Sequence, residues 1–253
     1  TASLDLVGAQ ADGNDQPVSD GYVVTFADNT DHLDIPSTTQ AGWQVVGTSL
    51  GTFAYRVDND AVTALHLLGN DAIADGTTYR KAGDLYGMLL LPTSATGSDI
   101  AETKKLLTDR GASEQAEGSN YYAAWYQRRD IVEFGAQSFP YATNFGYAWS
   151  TCIAMTNFGA IQAPLGSAFQ YAWKGTSALT SFPAGAKLGT SASNVNFTNA
   201  WQSSGLTSFP ALDLSKGNNF SSAFQSCSAL TSFPQDAKLG TAASNVNFTS
   251  AWQ

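Results

Sequence analysis

Positive charge is scarce in this chain, with 12 Lys+Arg against 21 Asp+Glu and a formal net charge of −9. Without a basic stripe it lacks the electrostatic footprint of a nucleic-acid partner. Long apolar runs are missing too. The best, Leu85 to Leu91, falls well short of the roughly 18–20 apolar residues of a membrane span, so no membrane insertion is expected. TASLDLVGAQ at the N-terminus lacks the basic-then-apolar layout of a secretory signal, which points to a signal already removed or to another route of exit. Histidine is limited to His32 and His66, so a histidine-based zinc site would need carboxylates or distant cysteines to complete it. No metal and no cofactor is expected.

What the chain does have is an aromatic beat. Trp125, Trp149, Trp173, Trp201, Phe224 and Trp252 each follow an alanine, at spacings of 24, 24, 28, 23 and 28 residues. Four residues before each stands another aromatic: Tyr121, Phe145, Phe169, Phe197, Phe220 and Phe248. After every beat but the last comes an apolar residue with a phenylalanine three positions on: Ile131 and Phe134, Met155 and Phe158, Leu179 and Phe182, Leu206 and Phe209, Leu230 and Phe233. The last three of these read LTSFP. Such a period lies in the range of leucine-rich solenoids, whose units bury their apolar faces against their neighbours. The longer units carry AKLGTSASNVNF (186–197) and AKLGTAASNVNF (237–248), extra residues that suit surface loops.

Aromatics at i and i+4 meet on one face of a short helical turn, and the L-x-x-F stretch reads as a short strand or extended segment. Stacked units would make a curved slab with one small parallel sheet and aromatic ladders inside. Pro183, Pro210 and Pro234 have no backbone donor, so the pairing should stop before them or bypass them. Cys152 and Cys227 stand in equivalent slots three units apart. Strands about 4.8 Å apart would separate them by about 14 Å, beyond the roughly 7 Å reach of a disulfide. They read as buried thiols in a slot that Thr176 and Ser204 fill elsewhere.

AFQSCSALTSFP (223–234) and AWSTCIAMTNFG (148–159) resemble the units of BspA-type leucine-rich-repeat surface proteins. The Trp-bearing and Phe-Pro-bearing variant is most similar to repeats in virion and tail proteins of marine cyanobacterial phages. The resemblance covers about half the chain, from Tyr121 to Gln253. It implies surface display, adhesion or virion structure, with no family-wide catalytic residue. Gly135 and Gly159 depart from it, standing where later units have proline.

Charge divides the chain near the onset of the repeat: residues 1–120 carry a net −11 and residues 121–253 a net +2. The reading is of a mixed fold in three parts: an acidic, mainly-β domain over 1–97, a helix and linker over 98–120, and a leucine-rich-repeat-like solenoid of about five to six coils over 121–253. Strands are expected at Val23 to Phe26, Trp43 to Val46, Thr52 to Val57, Ala61 to Leu68 and Leu85 to Leu91, with a turn at Asp58 to Asp60. The helix is capped by Ser98 or Asp99, carries Glu102 three after Asp99, ends at Gly111, and has Ile100, Leu106 and Leu107 as its apolar face.

Gly47-Thr48-Ser49-Leu50-Gly51 matches G-x-S-x-G, with Asp60 and His66 in triad order. The TFAYRV that follows reads as a strand, so the strand-to-helix elbow is lacking and a glycine-flanked turn is expected. Asp12, Asn14, Asp15 and Asp20, and then Asp28, Asp31 and Asp34, form acidic clusters without the spacing of a calcium loop; they read as solvated turns. Asn196, Asn219 and Asn247 match a glycosylation acceptor pattern but read better as caps on the following turn.

Three functions compete. The first is a non-enzymatic virion or tail-fibre protein, released at lysis, which assembles with other subunits as a homo-oligomer, a trimer being one such state, and touches a host glycan or protein. The second is a bacterial surface adhesin. The third, a carbohydrate-active enzyme, would need paired carboxylates across a cleft. The first is favoured. Trp252 is followed by Gln253 alone, so a neighbour, from a longer chain or another subunit, is expected to cover the final unit.

Overall fold

The computed structural model describes residues 18–19, 24–26, 34–35, 41–48, 51–57, 65–66, 69–70, 79–80, 83–109, 112–113, 116 and 120–253. The chain divides into two compact units, Thr1–Gln115 and Ala116–Gln253. Asp12, Asn14, Asp15, Asp20, Asp28, Asp31, His32, Ser49, Asp58 to Asp60 and Gly111, on which several expectations fall, lie outside the described residues.

The strands of the first unit are β1 (Val18–Ser19), β2 (Val24–Phe26), β3 (Asp34–Ile35), β4 (Gly42–Thr48), β5 (Gly51–Val57), β6 (Leu65–His66), β7 (Gly69–Asn70), β8 (Tyr79–Arg80) and β9 (Gly83–Pro92). A 12-residue helix, α1 (Gly97–Thr108), follows. Within this unit β1, β2, β9, β4 and β5 are hydrogen-bonded neighbours in that order. β4 pairs antiparallel with both β5 and β9, and its register with β9 shifts between Gly47 and Thr48. The sheet face that receives the helix is apolar: Trp43, Val45 and Ala54 form a core with Leu107 and Ala112, and Leu89, Leu91 and Ile100 pack against it.

Helix α1 is capped at Thr96, two or three residues earlier than the expected Ser98 or Asp99. Thr96 is its N-cap and Asp99 its third residue: the Asp99 N–H donates to Thr96 Oγ1 at 3.3 Å, and the Thr96 N–H donates to Asp99 Oδ2 at 2.7 Å. The reciprocal pair satisfies two donors that a helix start leaves orphaned. Leu106 is 45% exposed, so the buried face is Thr103 and Leu107.

The second unit corrects the fold expected from the repeat. A leucine-rich-repeat-like solenoid with helical turns and one parallel sheet is not what forms. Short strands pair in small groups: β10 (Ile131–Phe134) with β12 (Asn157–Phe158); β11 (Gln137–Ser138), β13 (Ile161–Ala163) and β14 (Lys187–Leu188); β15 (Val195–Asn196) with β17 (Gly217–Asn219); and β16 (Asp213–Leu214) with β18 (Lys238–Leu239). All of these pairs are parallel. Among the described residues α1 is the sole helix.

Two local causes account for the difference. The paired aromatics sit on consecutive turns with left-handed residues: Ala123, Tyr147, Tyr171, Asn199, Ser222 and Ser250, each two after the first aromatic, have φ of 52–59°. Gln127, Thr151, Ser203 and Ser226, six after it, repeat the same conformation, and Gly175 takes it at φ 70°. A left-handed residue at every fourth position cannot belong to a right-handed helix. Each turn instead binds the next unit: the N–H groups of Tyr121, Ala123, Trp125 and Gln127 donate to the carbonyls of Asn144, Gly146, Ala148 and Ser150 at 2.7–2.9 Å. The remaining donors close short turns, as in Ala124 N–H to Tyr121 O at 3.2 Å.

Proline is the second cause. Between β10 and β12 the Gly159 N–H donates to Phe134 O at 2.7 Å. Pro183, Pro210 and Pro234 stand at that position in later units and have no N–H to give. There the LTSFP stretches are not strands, and a single bridge joins Ser208 to Ser232. Gly159 is also constrained by space, since a Cβ there would lie 2.2 Å from the Ala136 nitrogen.

Candidate functional site

The residues singled out from the repeat gather into three ring ladders in the second unit. In the first, Trp125, Trp149, Trp173, Trp201, Phe224 and Trp252 follow one another at centroid distances of 5.2, 5.4, 5.4, 5.1 and 5.9 Å. Phe145, Phe169, Phe197, Phe220 and Phe248 make the second, at 5.1–5.4 Å. Phe134, Phe158, Phe182, Phe209 and Phe233 make the third. Its rings meet the tryptophans edge-on, as Phe158 meets Trp149 at 5.0 Å and 77°. Offset-stacked and edge-to-face rings are the arrangements that aromatic quadrupoles favour.

Leu179 and Leu206 are fully buried, whereas Leu230 and Phe233 are half-buried and Phe248 and Trp252 are 38% and 53% exposed. Cys152 and Cys227 are buried free thiols. Each donates to the carbonyl of a neighbouring unit's tryptophan, Trp125 at 3.1 Å and Trp201 at 3.0 Å. Burial pushes the Cys152 thiol up to about 12, because the thiolate would lose its hydration.

Each turn is opened by an asparagine in most units. The side-chain oxygens of Asn120, Asn144, Asn196, Asn219 and Asn247 accept from the N–H two residues on, at 2.9–3.0 Å. The three asparagines of the acceptor pattern are thus turn caps. What they cap is a β-type turn and not a helical one.

These turns carry a feature that the beat did not reveal. At positions one, two and five after the first aromatic stand half-buried side chains: Tyr122, Tyr147, and Gln170, Tyr171 and Lys174 in the first three units, with Tyr126 buried. Tyr147 stacks on Tyr171 at 4.5 Å and 12°, Tyr122 meets Tyr147 at 5.6 Å, and Tyr126 meets Tyr147 edge-on at 6.0 Å. The Lys174 ammonium lies 5.2 Å from the Tyr171 centroid. Beneath them Gly146 makes room, for a Cβ there would fall 2.7 Å from Gln170 Nε2 and 2.8 Å from the Tyr122 ring. Gln170 Oε1 is enclosed without a hydrogen-bond partner.

In the following units the same positions hold amides and hydroxyls. Asn199 Nδ2 donates to Gln202 Oε1 at 2.8 Å, and Gln202 Nε2 donates to Gln225 Oε1 at 2.6 Å. Position within the unit was the available signal: reading two residues beyond each core aromatic gives Ala123, Tyr147, Tyr171, Asn199, Ser222 and Ser250 in turn.

The other motifs come out as follows. Gly47 and Thr48 end β4 and Gly51 begins β5, with Thr48 opposite Gly51 in the antiparallel pair, so a strand follows G-x-S-x-G where an elbow requires a helix. His66 lies opposite Asp34 in the β3–β6 pair. Among the described residues no three His, Cys, Asp or Glu side chains gather where they could hold a metal ion, and no helix is long and apolar enough to cross a membrane.

No protein-family model matches the chain, and neither a curated protein nor a solved structure does so. The functional reading therefore rests on the residues themselves.

Proposed function

We propose that this is a non-enzymatic component of a phage virion, a tail or fibre protein that assembles with other subunits and contacts the host surface. The observation that carries the reading is the combination of a fixed interior with a changing exterior. Ring ladders and four inter-unit backbone bonds per turn recur along the second unit, while the side chains over them pass from tyrosines to amides. A repeated support that presents varied side chains is what attachment requires, and exposed loops and turns are where recognition residues concentrate.

Homo-oligomeric assembly, with trimers as the first state to examine, belongs to the same proposal. Mass spectrometry and immunogold labelling of purified particles test it. The protein should be found in particles at stoichiometric copy number; its absence from them, with labelling of the bacterial surface instead, would transfer it to the adhesin class.

A further inference from the structure

We infer that the buried tryptophans of the second unit relay an electron hole: an oxidising equivalent that reaches Trp125, Trp149, Trp173 or Trp201 migrates along the column and comes to rest on Tyr121. The activity is independent of the attachment reading. Indole and phenol give up one electron far more readily than a benzene ring does, and transfer between two such rings quickens steeply as they approach. The four indoles lie nearly parallel, with centroids 5.2, 5.4 and 5.4 Å apart and planes within 7° of one another. Tyr121 continues the file, stacked on Trp125 at 6.0 Å and 3°. Phe224 closes the other end. It lies 5.1 Å from Trp201 and 5.9 Å from Trp252, and its benzene ring is too hard to oxidise to serve as a stepping stone. The buried column is thus insulated from the exposed Trp252.

Whether a hole moves depends on its proton. An oxidised indole is a strong acid at Nε1, and once an acceptor takes that proton the neutral radical is trapped where it formed. Indole nitrogen can only donate, and Nε1 of Trp149, Trp173 and Trp201 is enclosed with no hydrogen-bond partner. These rings are flanked by phenyl groups, as Trp149 is by Phe134 and Phe158 at 5.2 and 5.0 Å. The proton therefore stays, and the hole passes on as a cation. A cation in an apolar core is costly unless it is compensated. The faces of the adjoining indoles compensate it, since tryptophan is the ring that attracts a cation most strongly. A thiolate would be a competing sink, but burial keeps Cys152 protonated. In balance, a diffusible one-electron oxidant, an inorganic radical or a photo-oxidised metal complex, is reduced by one indole, which is refilled from the next. Tyr121 supplies the last electron and releases its hydroxyl proton to solvent, leaving a neutral radical too weakly oxidising to return the hole.

Flash-quench oxidation of the full chain by photogenerated tris(bipyridine)ruthenium(III) tests the relay. Transient absorption separates the indole radical cation, the neutral indolyl radical and the tyrosyl radical by their spectra. In the native chain the indole cation should decay as the tyrosyl radical grows, without passing through the neutral indolyl form. Tyr121→Phe should remove that growth. Trp149→Phe puts a benzene ring in mid-column and should leave a long-lived indole cation with a diminished tyrosyl yield. Phe224→Trp joins Trp252 to the column; peptide mass spectrometry should then find the oxidised site moved from Trp252 to Tyr121, and adding Trp173→Phe should return it. Each change exchanges rings that the repeat already accepts in that slot, as Phe224 stands among tryptophans and Tyr121 among phenylalanines. The relay is overturned if indole radicals appear in the neutral form from the outset, if tyrosyl growth survives Tyr121→Phe or Trp149→Phe, or if the oxidised site in Phe224→Trp remains Trp252.

Discussion

Arg128 and Asp130 form a two-pronged ion pair inside the second unit: Nε to Oδ1 at 2.8 Å and Nη2 to Oδ2 at 2.6 Å, with side chains 8% and 3% exposed. Arg128 stands three residues after Trp125, in the slot that Cys152, Thr176, Ser204 and Cys227 fill later. Removing Arg128 from such a pair leaves the buried Asp130 carboxylate uncompensated. Arg128→Met alone should therefore cost about 3–5 kcal/mol, while Arg128→Met with Asp130→Leu should cost much less. Urea unfolding of the three proteins measures the difference.

The tryptophan ladder predicts unequal costs for two changes at one site. Trp173→Ala removes a fully buried indole from between Trp149 and Trp201 and should cost about 3–5 kcal/mol. Trp173→Phe should cost about 1–2 kcal/mol. Phenylalanine already serves in this ladder at Phe224, and the Trp173 indole N–H has no hydrogen-bond partner to lose. Denaturant midpoints give the energies, and the near-ultraviolet circular dichroism of stacked indoles should fall in both variants.

Cys152 makes alkaline stability dependent on a thiol. Its pKa is raised from 9.0 to about 12 by burial, so above pH 9 the folded chain holds a proton that the unfolded chain releases. Stability from this group is complete below pH 9 and declines as pH rises from there toward about 12, at a slope on the order of 1 kcal/mol per pH unit. Cys152→Ala should flatten that slope in a series of unfolding curves between pH 8 and pH 11. Native Cys152 should also resist alkylation until the chain is unfolded.

Gly47 lies close beneath Leu107 of α1 and Ala112 beyond it. A Cβ there would lie 2.8 Å from the Leu107 Cβ and 2.9 Å from the Ala112 Cβ. Gly47→Val should destabilise the first unit by about 1–3 kcal/mol through overpacking, and Gly47→Ala by less. Hydrogen exchange over residues 97–108 reports the loosening directly.

The capping box gives a helix that responds to acid. Hydrogen bonds from the Thr96 backbone and side chain hold the Asp99 carboxyl below its ordinary value of 3.8. Its contribution is present at neutral pH and is lost as pH falls through that depressed value. Amide exchange of the first turn of α1 should quicken below pH 3.8, and Thr96→Ala should produce the same loss at neutral pH.

How far the sequence could be read depended on which property each residue type reports. Burial of Trp149, Trp173 and Trp201 follows from hydrophobicity and periodicity. Backbone conformation does not, because aromatics at i and i+4 meet equally well on a helix and across two consecutive left-handed turns. Ala123, Tyr147 and Thr151 give no residue-type warning of positive φ; Gly175 and Asn199 do, but only two such residues stood among many. Strand loss at LTSFP was legible, since proline removes a known donor. The tyrosine cluster was not, because the contacts within it are defined by the turn geometry that the sequence left open.

The alternate N–H groups of the turns carry a last consequence. Along the aromatic side they point from each unit to the next, as Trp149 does to Ala172 O; on the strand side several point back, as Gly189 does to Ala163 O and Thr207 to Thr180 O, and others forward, as Phe139 does to Gln162 O. Peptide dipoles on the strand side therefore offset part of the sum on the aromatic side, whereas in an α-helix they add without opposition. Each added unit brings less partial charge to the poles of the stack than a helix of equal length would.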